Sequence, residues 1–82
     1  MKKTKTLQRT IKTSDITMNN NNFFVINGIN HNYSLYHSYA NEYNELVIIL
    51  RHISHVRKVM NEAILTCHKD ATATAIFNHY EF

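Results

Sequence analysis

The sequence contains no proline, no tryptophan, one glycine and one cysteine. A chain with only Cys67 forms no internal disulfide, so a common support of small scaffolds is excluded, and a lone thiol suits a reducing cytosol. Glycine and proline are the strongest local punctuators, and their scarcity predicts few, long elements. The longest apolar run is Leu46, Val47, Ile48, Ile49 and Leu50, far short of the roughly 20 residues a membrane helix needs. No secretory apolar region stands out either, so the expectation is a cytoplasmic protein without a membrane partner.

Several chemistries are missing as well. There is no glycine-rich phosphate loop, no serine-centred nucleophile motif and no paired-carboxylate spacing. Cys67 and His68 are adjacent, which on a helix points them apart and prevents a thiolate–imidazole pair. Six histidines are present, but their spacing assembles no set of three or four zinc ligands on one helix. The expectation is therefore a non-enzyme with no catalytic residues, no metal and no cofactor.

What is present is unevenly placed charge. The chain has 82 residues and a formal net charge of +3. Lys2, Lys3, Lys5, Arg9 and Lys12 all precede the first acid, Asp15. This predicts a basic arm over residues 1–18 followed by one small domain over residues 19–82. The arm pattern fits an extended segment or an edge strand. Abundant Asn, Ile, Lys and Tyr is the bias of AT-rich coding sequence, as in some bacteria, phages and mobile elements.

Local patterns predict an α+β fold. Asn27-Gly28 suits a type I′ hairpin turn that sets Ile26 opposite Ile29 and Phe24 opposite His31, giving Phe24, Ile26, Ile29, His31 and Tyr33 one face. Ser34 or Ser38 can cap a following helix, with Glu42 and Glu45 in its early turns. Apolar residues then recur by threes and fours at Tyr39, Tyr43, Leu46, Leu50, Ile53, Met60, Ile64 and Cys67, predicting a long amphipathic helix over residues 39–68, packed on a small antiparallel sheet. Residues 71–82 alternate as a strand completing that sheet beside the hairpin, or prolong the helix.

Two surfaces follow from that helix. Tyr39, Tyr43, Leu46, Val47, Leu50, Ile53, Arg57 and Met60 form a seam for a larger protein partner or a second copy, with Arg57 available to fix register. Arg51, His52, His55 and Lys58 form a basic face opposite it. The leading functional expectation is a stoichiometric protein-binding regulator or inhibitor acting through the helix and the Tyr-rich hairpin, with homodimer formation expected. The alternative is a dimeric DNA- or RNA-binding regulator using that basic face with Lys2, Lys3, Lys5, Arg9 and Lys12. A third reading is an assembly component whose arm threads into a neighbour.

Overall fold

A computed structural model describes the whole chain, Met1–Phe82. The expected long helix is absent. The chain instead forms seven strands: β1 (Lys2–Lys12), β2 (Ile16–Met18), β3 (Phe24–Ile26), β4 (Asn32–Ala40), β5 (Leu46–Ser54), β6 (Val59–Cys67) and β7 (Thr72–Glu81). They make one antiparallel sheet in the order β1-β7-β6-β5-β4-β3-β2, curled into a half-barrel. The α+β expectation is thus corrected to an almost entirely β fold.

The two outermost strands are consecutive in sequence, separated by the 3₁₀ turn Thr13–Asp15. β1 and β2 are therefore halves of one bent strand, pairing with β7 on one side and β3 on the other. The bend is tied to both neighbours: Thr13 N–H donates to Ala71 C=O and Asn27 N–H to Asp15 C=O, each at 2.9 Å. Towards Lys2 the halves part, and a slot opens between β1 and the β3–β4 loop. The basic arm is the edge strand of this sheet, bonded to β7 along its length.

Residues 39–68 span the end of β4, then β5 and β6. The helical spacing rested on Tyr39, Tyr43, Leu46, Leu50, Ile53 and Met60, and absorbed Val47, Ile48 and Ile49 as a widened stripe. An unbroken run rich in β-branched residues is what a strand covered on both faces requires. Val47 and Leu50, of opposite parity on β5, are 3% and 0% exposed.

The missing glycines did not mean missing turns. Left-handed backbone is taken by Asn22, Asn44, Lys58 and Ala71 besides Gly28. Side chains support four of these bends. Asn19 Oδ1 accepts from the N–H groups of Asn21 and Phe23 at 3.0 and 3.1 Å. Asn41 Oδ1 accepts from the N–H groups of Tyr43 and Glu45 at 3.0 and 2.9 Å. Ser54 Oγ accepts from Arg57 N–H at 3.2 Å, and Asp70 Oδ1 accepts from Thr72 N–H at 3.0 Å. Such local bonds offer the chain a turn in place of another helical residue.

The hairpin is corrected in register. Phe24 pairs with Tyr33 and Val25 with Asn32, two positions from expectation. Only Gly28 has positive φ, +86°, and Ile29 N–H donates to Ile26 C=O at 3.0 Å. The positive φ thus sits at the third turn residue, as in a type II turn, not at both central positions as type I′ demands. A shift of two conserves the face, so Phe24, Ile26 and Tyr33 still point inward. Residues 72–81 are a strand, but its neighbours are β1 and β6 and not the hairpin.

The inner face carries the core: Ile26, Tyr33, Leu50, Ala63, Leu65 and Ala75, flanked by Ile11, Ile16, Phe24, Ile29, Ile48 and Phe77. Each large aliphatic side chain buried here contributes about 1.5–3 kcal/mol. Alanines on β6 and β7 keep the middle strands low, so that side chains from the bent strand and the hairpin fit over them. On the outer face a polar ladder crosses four strands. Arg51 Nε meets Glu62 Oε2 at 3.2 Å, Asn78 Nδ2 donates to Glu62 Oε1 at 3.1 Å, and Thr6 Oγ1 donates to Asn78 Oδ1 at 2.8 Å.

Candidate functional site

The sheet register places Lys5, His79, Asn61 and His52 as successive partners on β1, β7, β6 and β5. Two residues further along, Leu7, Phe77, Ala63 and Leu50 form the next inner row. A polar lip therefore borders an apolar trough. His31, on the β3–β4 loop, stacks on His52 with centroids 5.5 Å apart and meets the Tyr33 ring edge-on at 6.1 Å.

Between lip and loop lies a cleft of about 460 Å³, lined by Lys5, Leu7, Ile29, His31, Phe77 and His79 among others. His79 Nδ1 donates to Asn61 Oδ1 at 2.7 Å. That bond fixes the ring and leaves Nε2 without a protein partner. Burial, then the nearby His52, His79 and Arg57, hold the His31 imidazole below the usual histidine value. A second cleft, of about 480 Å³, lies beside Phe23, Leu35, Tyr36, Arg51 and Ile53.

The slot is bounded by the free edge of β1. Every residue of this strand except Ile11 is exposed. In an antiparallel ladder, alternate N–H and C=O groups of an edge strand point away from their partner. Lys5 and Arg9 stand on the inner side, opposite His79 and Ala75. Lys3 and Lys12 stand on the outer side, opposite Tyr80 and Thr72. The cations flank the open edge on both sides.

No family model, curated protein or solved structure matches this chain. Its chemistry follows from its own geometry.

The other sequence-derived site residues are dispersed. Of the seam, Leu50 is buried inward, while Val47 and Met60 are 3% and 4% exposed on the outer face. Tyr39, Leu46 and Ile53 lie exposed on strands, and Tyr43 and Arg57 occupy turns. They form no single surface. The basic face is likewise broken up: Arg51 pairs with Glu62 and lies 3.6 Å under the Tyr36 ring, His52 faces inward against His31, and His55 and Lys58 belong to the β5–β6 turn. Lys2, Lys3, Lys5, Arg9 and Lys12 do remain together, on β1. No three His, Cys, Asp or Glu side chains are placed to hold a metal ion, and no helix is long and apolar enough to cross a membrane.

Sequence reasoning missed Asn61 and His79. The signal was there once turns are known, because each hairpin turn fixes which residues face each other: His52 with Asn61, and Asn61 with His79.

Proposed function

We propose that this chain is a small, non-catalytic protein-binding module that takes an extended acidic segment of a larger protein as an added strand on β1. One observation carries the reading: an eleven-residue edge strand with an open side, bearing Lys2, Lys3, Lys5, Arg9 and Lys12 and no acid. Main-chain bonds to a free edge supply affinity in strand addition, and side chains on either side supply selectivity.

Edge lysines normally block indiscriminate pairing. Here they also select. A second copy of β1 would bring like charges together, whereas an acidic strand would meet cations on both faces. Exposed ion pairs contribute only about 0.2–1 kcal/mol each, and net main-chain hydrogen bonds about 0.5–1.5 kcal/mol. After ordering costs, a dissociation constant on the order of 1–100 μM is expected. Cations that straddle an edge suit a strand better than a phosphate backbone, which is tracked by cations gathered along one groove.

The test is calorimetric titration with a peptide of about ten residues alternating Glu and Val, against a Lys/Val control. Binding of the acidic peptide, weakened by salt and by Lys5→Glu and Arg9→Glu, supports the reading. Loss of binding on N-methylation of alternate peptide amides shows that main-chain bonds are used. Equal binding of both peptides, or preference for a single-stranded oligonucleotide over the acidic peptide, contradicts it.

A further inference from the structure

We propose that the slot beside β1 is a carboxylate site: it takes an organic acid on a short apolar stem, the carboxylate at Lys5, His31 and His79 and the stem against Leu7, Ile29 and Phe77. The two successive inner rows carry this inference. One row holds donors, the next is apolar, and the cleft of about 460 Å³ reaches both. Pockets of a few hundred Å³ with apolar walls and a few convergent polar groups are the ordinary form of a small-ligand site.

The sign of the ligand follows from what faces the cleft. β1 contributes Lys5, the β3–β4 loop His31, β4 Tyr33, β6 Asn61 and Glu62, and β7 Asn78 and His79, while His52 of β5 and Arg57 of the β5–β6 turn stand near His31. The only acid among them, Glu62, turns its side chain to the outer face, where Arg51, Asn78 and Tyr80 engage the carboxylate. Asn61 holds His79 Nδ1, which leaves Nε2 as the free ring nitrogen at the cleft. His31 is held towards its neutral form by burial and by the neighbouring His52, His79 and Arg57. A bound carboxylate opposes both effects, so binding takes up a proton. Affinity then rises as pH falls, by at most about tenfold per pH unit for one proton taken up.

Two sources share this chemistry: a free small acid, or a Glu or Asp side chain of a strand added to β1. The second rests on the function proposed above; the first does not. The probe is 3-phenylpropionate, with 3-phenylpropanamide as its neutral counterpart. Titrations at about pH 5.5 and about pH 7.5 follow the histidine ring signals by NMR. The acid is expected to shift His31 and His79, to raise the His31 titration midpoint and to bind at least tenfold more tightly at the lower pH. The amide should bind at least tenfold more weakly than the acid at that pH. His31→Gln and Lys5→Met should each lower acid affinity while leaving the Ile26 and Leu50 methyl signals in place, which separates loss of the site from loss of the fold.

Displacement of the acid by the alternating Glu/Val peptide assigns the site to a partner side chain. Acid binding at His31 and His79 without displacement supports a free small molecule, and β1 amides untouched by the peptide then overturn strand addition alone. Unmoved His31 and His79 signals with acid and peptide alike, or equal binding of acid and amide, overturn the carboxylate site.

Discussion

Glu45 Oε2 lies 2.6 Å from His68 Nδ1, and the same imidazole reaches Thr74 Oγ1 through Nε2 at 2.7 Å. The order carboxylate, imidazole, hydroxyl is that of a nucleophile relay. Neither cleft is lined by any of the three residues, and the contact instead clips the β4–β5 turn to the start of the β6–β7 turn. The His68 bond, then that from Asn41, holds the Glu45 carboxyl below its ordinary value of 4.5. Bonds from the Thr72 hydroxyl and amide do the same for Asp70. A carboxyl depressed on folding contributes stability above its unfolded value and loses it as pH falls through the folded one. NMR titration should find Glu45 below an ordinary glutamate, and His68→Gln should move it back up. Acid unfolding should begin at higher pH in that variant.

Lys58 and Ala71 hold left-handed backbone, with φ of +56° and +67°. A side chain with a Cβ is disfavoured there by about 1 kcal/mol or more, and glycine is not. Lys58→Gly and Ala71→Gly should each stabilise the protein by roughly 0.5–1 kcal/mol, less than the full strain because glycine also loosens the unfolded chain. Urea denaturation is the measurement: each midpoint should rise with the slope unchanged. Asn44→Gly should gain less, since asparagine tolerates this region.

Glu62 is the hub of the outer ladder. Its side chain is 8% exposed, and it meets Arg51, Asn78 and Tyr80. Glu62→Ala leaves these partners unsatisfied and should cost about 2–4 kcal/mol, below the largest values for buried pairs because Arg51 is partly solvated. Tyr80→Phe should cost about 1 kcal/mol. In thermal unfolding the double variant should be less destabilised than the sum of the single ones, since both remove the same bond.

Tyr33 is 2% exposed, and burial pushes its phenol from 10.0 up to about 12. The folded state then binds a proton that the unfolded state releases. Stability should therefore fall as pH rises from about 10 to about 12, and Tyr33→Phe should flatten that decline in denaturation series across this range.

Residues 23–33 declared a hairpin because Asn27-Gly28 is strong turn chemistry, and the inward set Phe24, Ile26 and Tyr33 survives since a two-residue slip preserves parity. Residues 39–68 misled for a physical reason. Three-and-four spacing and alternation coincide when both faces of a strand are covered, and the turns at residues 41–45 and 55–58 are built by Asn41, Asn44, Ser54 and Lys58, without glycine or proline. The charge on β1 was plain; that it borders a slot was not, because β1 and the β3–β4 loop meet only through the bend at Thr13–Asp15. The histidine row needed three correct registers at once.

The most direct test of strand addition is an NMR titration of the 82-residue chain with the alternating Glu/Val peptide, read at the backbone amides of β1. Alternate amides of residues 2–12 should shift and gain protection from exchange, with cross-strand contacts to the peptide, while the β5 and β6 amides stay fixed. Shifts confined to lysine side chains, or spread over the outer face around Tyr36 and Ile53 with the β1 amides unchanged, would contradict the account.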